Sequence, residues 1–220
     1  TNIAGDAFAC NQYLKKVVFP DSVVKIDYWA FNGCSALEEI NIPKNCKLIG
    51  QFAFCGTSIK HIKIPATVVG AIFRESFMGS PVETIEVEEG NPYYRVENGA
   101  LYAENNLIMY EVGSRRSEFV VPEGTEFIWD GAFYGASNLK KVTIASTVKR
   151  IEQDCFYGCS QLEEVSIKGG VLEEIGVHAF MNCSKLKTIN IPETVSVIRE
   201  YAFFQCDSLT EITLPKGLKE

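Results

Sequence analysis

Phenylalanine recurs along this chain at Phe8, Phe31, Phe54, Phe77, Phe133, Phe156, Phe180 and Phe203, with steps of 23, 23, 23, 56, 23, 24 and 23 residues. A period of that size marks a repeat architecture, in which each repeat is one structural unit stacked on the next. The residue before each ring is small: Ala7, Ala30, Ala53, Ser76, Ala132, Cys155, Ala179 and Ala202. Such a pair fits a crowded interior that admits a ring at one position and almost nothing beside it. A run follows, such as Gly33-Cys34-Ser35-Ala36-Leu37-Glu38-Glu39-Ile40-Asn41-Ile42-Pro43, echoed by Asn182-Cys183-Ser184-Lys185-Leu186-Lys187-Thr188-Ile189-Asn190-Ile191-Pro192. The alternation in Ile40-Asn41-Ile42, Ile189-Asn190-Ile191 and Ile212-Thr213-Leu214 has the period of a strand with one buried face. Pro43, Pro65, Pro192 and Pro215 close strands, because proline has no amide hydrogen for a ladder. Each repeat therefore makes one coil, whose strand pairs in parallel with the strand of the next.

The step of 56 residues is the informative irregularity. Between Val87 and Phe119 lie three apolar runs, 93–96, 100–104 and 107–112, separated by Asn98-Gly99 and Asn105-Asn106. Asn-Gly between apolar runs predicts a tight hairpin, since both central residues take positive φ. The expectation is a single domain over 1–220, with an antiparallel β-meander at 90–116 replacing the back of one coil. About nine short front strands result, with irregular or short helical turns on the back.

Composition narrows the functional classes. A formal charge of -7 and a sequence pI near 5.1 lack the concentrated basic field that nucleic acid or an anionic membrane requires. The only adjacent arginines, Arg115 and Arg116, read as a solvated loop. No apolar run approaches the roughly 20 residues of a membrane span, and the first residues do not form a secretory leader. The repeat is cut at both ends, which is expected of an excerpt from a longer protein.

With the repeats aligned, the pattern small-Phe-x-Gly-Cys-Ser-x-Leu-x-x-Ile-x-Ile-Pro resembles the BspA-like leucine-rich repeats, also called the Treponema pallidum type. The inserted 91–102 segment, Asn91 to Tyr102, looks like an interruption seen in that family. Thr57 and Ala136, where Cys is usual, and Lys168-Gly169-Gly170, in place of a proline turn, depart from the pattern. The resemblance implies a leucine-rich-repeat solenoid in a secreted or cell-surface protein, with a role in adhesion or in binding host or extracellular proteins. It does not name a ligand, because this repeat is a scaffold that serves many partners.

Eight cysteines raise the alternatives of disulfides or a metal site. Cys34, Cys159, Cys183 and Cys206 share one repeat position, and coils about 4.8 Å apart would bring them close. Equivalent side chains in a stack point the same way, whereas a disulfide needs converging Cβ vectors. Free buried thiols are the expectation, with Cys46 and Cys55 the alternative pair. Zinc is disfavoured because no C-x-x-C or histidine spacing occurs; Cys155 and Cys159 come nearest. Ser35, Ser58, Ser137, Ser160, Ser184 and Ser208 precede strands, where hydroxyls satisfy turns. His61 and His178 fall five coils apart, and Glu38-Glu39, Glu88-Glu89, Glu163-Glu164 and Glu173-Glu174 read as solvated surface. No catalytic residue, metal ligand or cofactor site is expected, and the chain is read as no enzyme.

Binding is sought on the outward front positions, with His61, Lys63, Thr84, Glu86, Lys141, Thr143 and Glu164 as candidates, joined by Tyr93, Tyr94 and Tyr102 of the meander. The front is poor in the Trp, Tyr and Arg that dominate protein hot spots. Packing onto the solenoid is the first reading of the meander tyrosines, with contact to a partner the alternative. The expected partner is a protein, met by a monomer without nucleic acid and without direct membrane insertion. A passive spacer carrying other domains is the first alternative, and a glycan-binding module the second.

Overall fold

In a computed structural model the chain forms a β-solenoid, described over residues 1–70 and 74–219. Its contacts gather into two compact units, Thr1–Glu104 and Asn105–Glu220.

In the first unit the front strands Lys16–Val18 and Glu39–Asn41 pair in parallel, as do His61–Ile64 and Thr84–Val87. In the second, Glu118–Val120, Lys141–Ile144, Glu164–Ile167 and Thr188–Ile189 form one parallel sheet. These are eight of the nine expected front strands; the segment around Ile212 has no ladder among the described residues. The registers match residues one repeat apart, as in His61↔Thr84 and Lys141↔Glu164. Inward positions such as Ile62, Ile64, Val142, Ile144 and Val165 are buried. The outward ones alternate with them, as the period of two requires.

After the strand, the proline carbonyl opens a tight turn: Cys46 N donates to Pro43 O, Val68 N to Pro65 O and Val195 N to Pro192 O. Lys168-Gly169-Gly170 replaces this turn with positive φ at both glycines, 83° and 106°. A Cβ on Gly170 would lie 2.1 Å from Ser146 O, so this coil closes by backbone contact.

Most coils then add a second parallel strand, usually of two residues, that the sequence reading left out. Asn2–Ile3, Lys25–Ile26 and Leu48–Ile49 pair in the first unit. Asn106–Tyr110, Phe127–Ile128, Arg150–Ile151, Glu174–Ile175 and Val197–Ile198 pair in the second. Beyond it lies the small-Phe turn, irregular in most coils and a 3-10 helix at Arg74–Phe77. This turn carries a third set of coil-to-coil bonds. Gly131 N donates to Gln153 O, Phe133 N to Cys155 O and Gly135 N to Tyr157 O, and the same trio recurs along the unit. Satisfying these amides requires left-handed backbone two residues before the ring, at Asp6, Trp29, Phe52, Asp154, His178 and Tyr201 among others, and again two residues after it.

The rings form columns. In the first unit Phe8, Phe31, Phe54 and Phe77 stack at 5.0, 5.4 and 5.2 Å. In the second, Phe133, Phe156, Phe180 and Phe203 continue a column that begins with Tyr110, 5.0 Å from Phe133. These separations lie in the favourable range for offset aromatic pairs.

The expected hairpin at Asn98-Gly99 is present. Tyr94–Glu97 and Ala100–Ala103 pair antiparallel, with φ of 53° and 81° at the two turn residues. The run read as the meander's last strand also pairs in parallel with Phe127–Ile128, and so serves as a coil strand as well.

Candidate functional site

The outward front residues are brought together in columns and largely occupy one another. His61 Nδ1 and Thr84 Oγ1 lie 2.7 Å apart, and Lys141 Nζ lies 3.3 Å from Glu164. Thr143, half-buried, stands opposite Ser166. Lys63 and Glu86 are register partners, yet neither has a side-chain partner among the described residues. Beside Lys63 opens a cleft of about 360 Å³ lined by Ile40, Asn41, Ile42, Lys44, Lys63, Pro65 and Glu88. Lys44 is tied to Asp21, and Glu88 accepts the Ala66 amide at 3.0 Å. Lys63 is thus the charged side chain of the cleft wall that has no partner among the described residues.

The cleft has a firm edge. Asn41 Oδ1 accepts the Phe19 amide at 2.9 Å, while Asn41 Nδ2 donates to the Phe19 carbonyl at 3.1 Å. One side-chain amide thereby acts as an extra rung between coils. Asn190 does the same to Ile167 in the second unit.

The meander tyrosines divide. Tyr93 is half exposed, but Tyr94 is buried and donates its hydroxyl to Gly70 O at 2.8 Å. Tyr102 is fully buried, with the Arg95 guanidinium 4.7 Å from its ring centroid. Of the two readings of these tyrosines, packing holds for Tyr94 and Tyr102, which sit inside and hold the hairpin to its unit. Burying their rings removes apolar area from water, and only Tyr93 is left to meet a partner.

The cysteines are all unbridged thiols. They do more than fill space: Cys34, Cys159, Cys183 and Cys206 each donate to the ring residue's carbonyl in the preceding coil, at 3.1–3.2 Å. Where the repeat departs from Cys, Ser80 makes the same bond to Phe54 O, and Thr57 bonds Phe54 O and Ser80. Burial pushes the Cys206 thiol up to about 12, helped by the neighbouring Cys183. The Cys183 thiol is also raised, first by its hydrogen bond with Cys159 and then by burial.

Among the described residues no group of three or more His, Cys, Asp or Glu converges as metal ligands. No helix there is long and apolar enough to cross a membrane. His178 holds Asp154 at 3.1 Å, and Ser58 donates to Ser35 O in a turn.

Sequence reasoning missed one surface, the outer side of the small-Phe turns. In the second unit Tyr134 and Tyr157 stack at 4.9 Å with an interplanar angle of 2°, and Tyr201 stands T-shaped on Phe204 at 5.7 Å. The signal was present in the residue after each ring, read down the repeats instead of along the chain.

Stacked parallel coils of this length, with a buried Leu column and a ring at each turn, define a leucine-rich-repeat solenoid. The model of the BspA type leucine rich repeat region matches residues 1–115 and 110–220 in six copies, and the chain belongs to that family. Its fold is similar to that of the pneumococcal vaccine antigen PcpA, with a TM-score of 0.73 and 22% identity over 89% of this chain and 55% of PcpA. A leucine-rich cell surface protein of Faecalibacterium prausnitzii gives 0.74 and 24%, over 95% of this chain and 68% of its own. A leucine-rich repeat protein of Eubacterium ventriosum gives 0.62 and 21%, over 99% and 77%. The chain thus spans little more than half the length of PcpA. No curated protein matches it in sequence.

Proposed function

We propose that this chain is a non-enzymatic protein-interaction module of a secreted or cell-surface protein, which binds host or extracellular proteins in adhesion. The cleft beside Lys63 carries the proposal: an apolar floor of Ile40, Ile42 and Pro65 next to an unpaired cation. Such a site can bury an apolar side chain of a partner while Lys63 meets an adjacent carboxylate. The fold likeness to a protein described as lying on a cell surface supports the location. A panel of immobilised matrix proteins and glycans tests the reading. A protein should bind in the micromolar range or tighter, and Lys63→Glu should weaken it without lowering the unfolding temperature. Absence of any binder, or unchanged affinity in Lys63→Glu, would remove the cleft from consideration.

A passive spacer is the second reading, favoured by one observation. Much of the front charge is satisfied coil to coil, as in Lys141 with Glu164 and His61 with Thr84, which leaves a plain surface. Binding of the same panel by flanking domains alone would select it.

A further inference from the structure

The turn edge of the second unit combines aromatic rings with carboxylates. The four turn segments 130–135, 153–158, 177–182 and 200–205 contain no lysine and no arginine, but do contain Asp130, Asp154 and Glu200. Four of the unit's eight lysines are engaged elsewhere: Lys141 with Glu164, Lys149 with Glu126, Lys168 with Glu123 and Lys187 with Glu163. Those pairs lie on the front and proline sides, and the turn carboxylates have no lysine or arginine within their own segments. Asp154 meets only neutral or weakly basic neighbours, Gln153 and His178, and Glu200 is exposed.

Aromatic side chains share this edge. The three-bond ladder of each turn fixes the backbone, and in this unit the residue after each ring and the residue two before it reach the surface, half-buried at Tyr134, Asp154, Tyr157, His178 and Met181 and exposed at Tyr201 and Phe204. Those positions place Tyr134, Tyr157, Met181 and Phe204 in one column, and Asp154, His178 and Tyr201 in the next. Tyr201 lies 5.5 Å from His178 and 5.7 Å from Phe204, so the two columns form one strip. Tyr201 is 60% exposed and Phe204 47%.

We infer that this strip is a docking surface for a cationic segment of a protein partner, a run of exposed lysine or arginine side chains. It goes beyond the Lys63 cleft, which lies in the other unit and selects the opposite charge. Lysine and arginine carry apolar stems that cover ring edges while their heads remain polar. Aromatic rings attract cations, and the carboxylates of Asp154 and Glu200 stand where those heads arrive. The low desolvation of a surface strip suits a modest, salt-sensitive affinity.

Fluorescence polarisation of a labelled octalysine peptide against the whole chain at low salt tests the assignment, with octaglutamate as the counterpart. Octalysine should bind and octaglutamate should not. Tyr157→Ala combined with Asp154→Asn should weaken octalysine about fivefold. Asp154→Asn alone should weaken it about twofold while keeping the fold, because Asn accepts the positive φ at that position. Glu173→Gln removes one exposed carboxylate elsewhere and should change little. An equal loss in Glu173→Gln and Asp154→Asn would reduce the attraction to bulk acidity and overturn the proposal. So would unchanged affinity in the folded Asp154→Asn variant.

Discussion

The Cys159 thiol donates to the carbonyl of Phe133 in the preceding coil at 3.1 Å, which ties the conserved-looking Cys position of the repeat to its ring position through a hydrogen bond. Serine already makes that bond at Ser80, 2.9 Å from Phe54 O. Cys159→Ser should therefore cost under about 1 kcal/mol, whereas Cys159→Ala, which removes one of two bonds to the Phe133 carbonyl, the Ala136 amide keeping the other at 3.0 Å, and leaves a small void, should cost about 1–2 kcal/mol. Urea denaturation of the pair measures the difference; equal losses would make the thiol a mere space-filler.

Alkaline pH should act through the same column. The Cys206 and Cys183 thiols have folded values raised above the ordinary 9.0, Cys206 to about 12. A raised folded value contributes stability in full below the unfolded value, and that stability is lost as pH rises toward the folded one. For Cys206 the window is pH 9 to 12. The unfolding temperature of the wild type should fall more steeply across it than that of Cys183→Ser/Cys206→Ser. Parallel curves would exclude the thiols as the cause.

Tyr110 opens the ring column of the second unit. Its hydroxyl lies 3.0 Å from Ser114 Oγ, so Tyr110→Phe loses one surface-near hydrogen bond and should cost about 1 kcal/mol or less. Phe133→Ala, in mid-column between Tyr110 and Phe156, should cost about 3–5 kcal/mol. Thermal unfolding of both variants checks the ranking, and a severe Tyr110→Phe defect would give the hydroxyl a larger part than the ring.

Tyr110 also shows where sequence reading stops. The coils, the front strands and the Asn98-Gly99 hairpin follow from Phe spacing, Ile-x-Ile alternation and turn chemistry. Tyr110 escapes because its ring carries a hydroxyl and the large Met109 precedes it, so neither half of the small-Phe signature is met. The second strand of each coil escapes because two residues such as Lys25-Ile26 are too short to show a period. At the candidate site, Lys63 and Glu86 were legible as outward positions. Packing of the meander tyrosines as a group was legible too, but which of them turn inward was not, since a tyrosine suits an interface and a core equally well.

Asn41 joins its coil to Phe19 by a donor and an acceptor at once. Asn41→Asp keeps the acceptor but cannot donate, and leaves the Phe19 carbonyl facing a charge. The expected loss is about 1–3 kcal/mol, read by chemical denaturation, and greater than that of Asn41→Ser at equal exposure. The reverse order would show that the amide's donor is dispensable.

Lys141→Glu sets like charges beside one another at Glu164 and should cost under about 1 kcal/mol, with recovery when Glu164→Lys is added. The coupling should fade in 1 M salt. Persistence at high salt would point to packing by the side-chain stems.

Most charges that meet between coils lie one repeat apart and differ in sign: Lys60 beside Glu83, Glu126 beside Lys149, Lys141 beside Glu164, Glu163 beside Lys187. A genetic duplication that copied one such coil would set Lys on Lys or Glu on Glu at these columns. A copy of two adjacent coils would preserve the alternation. Growth of this array by doublets, or divergence soon after a single copy, is therefore the course least opposed by its own surface.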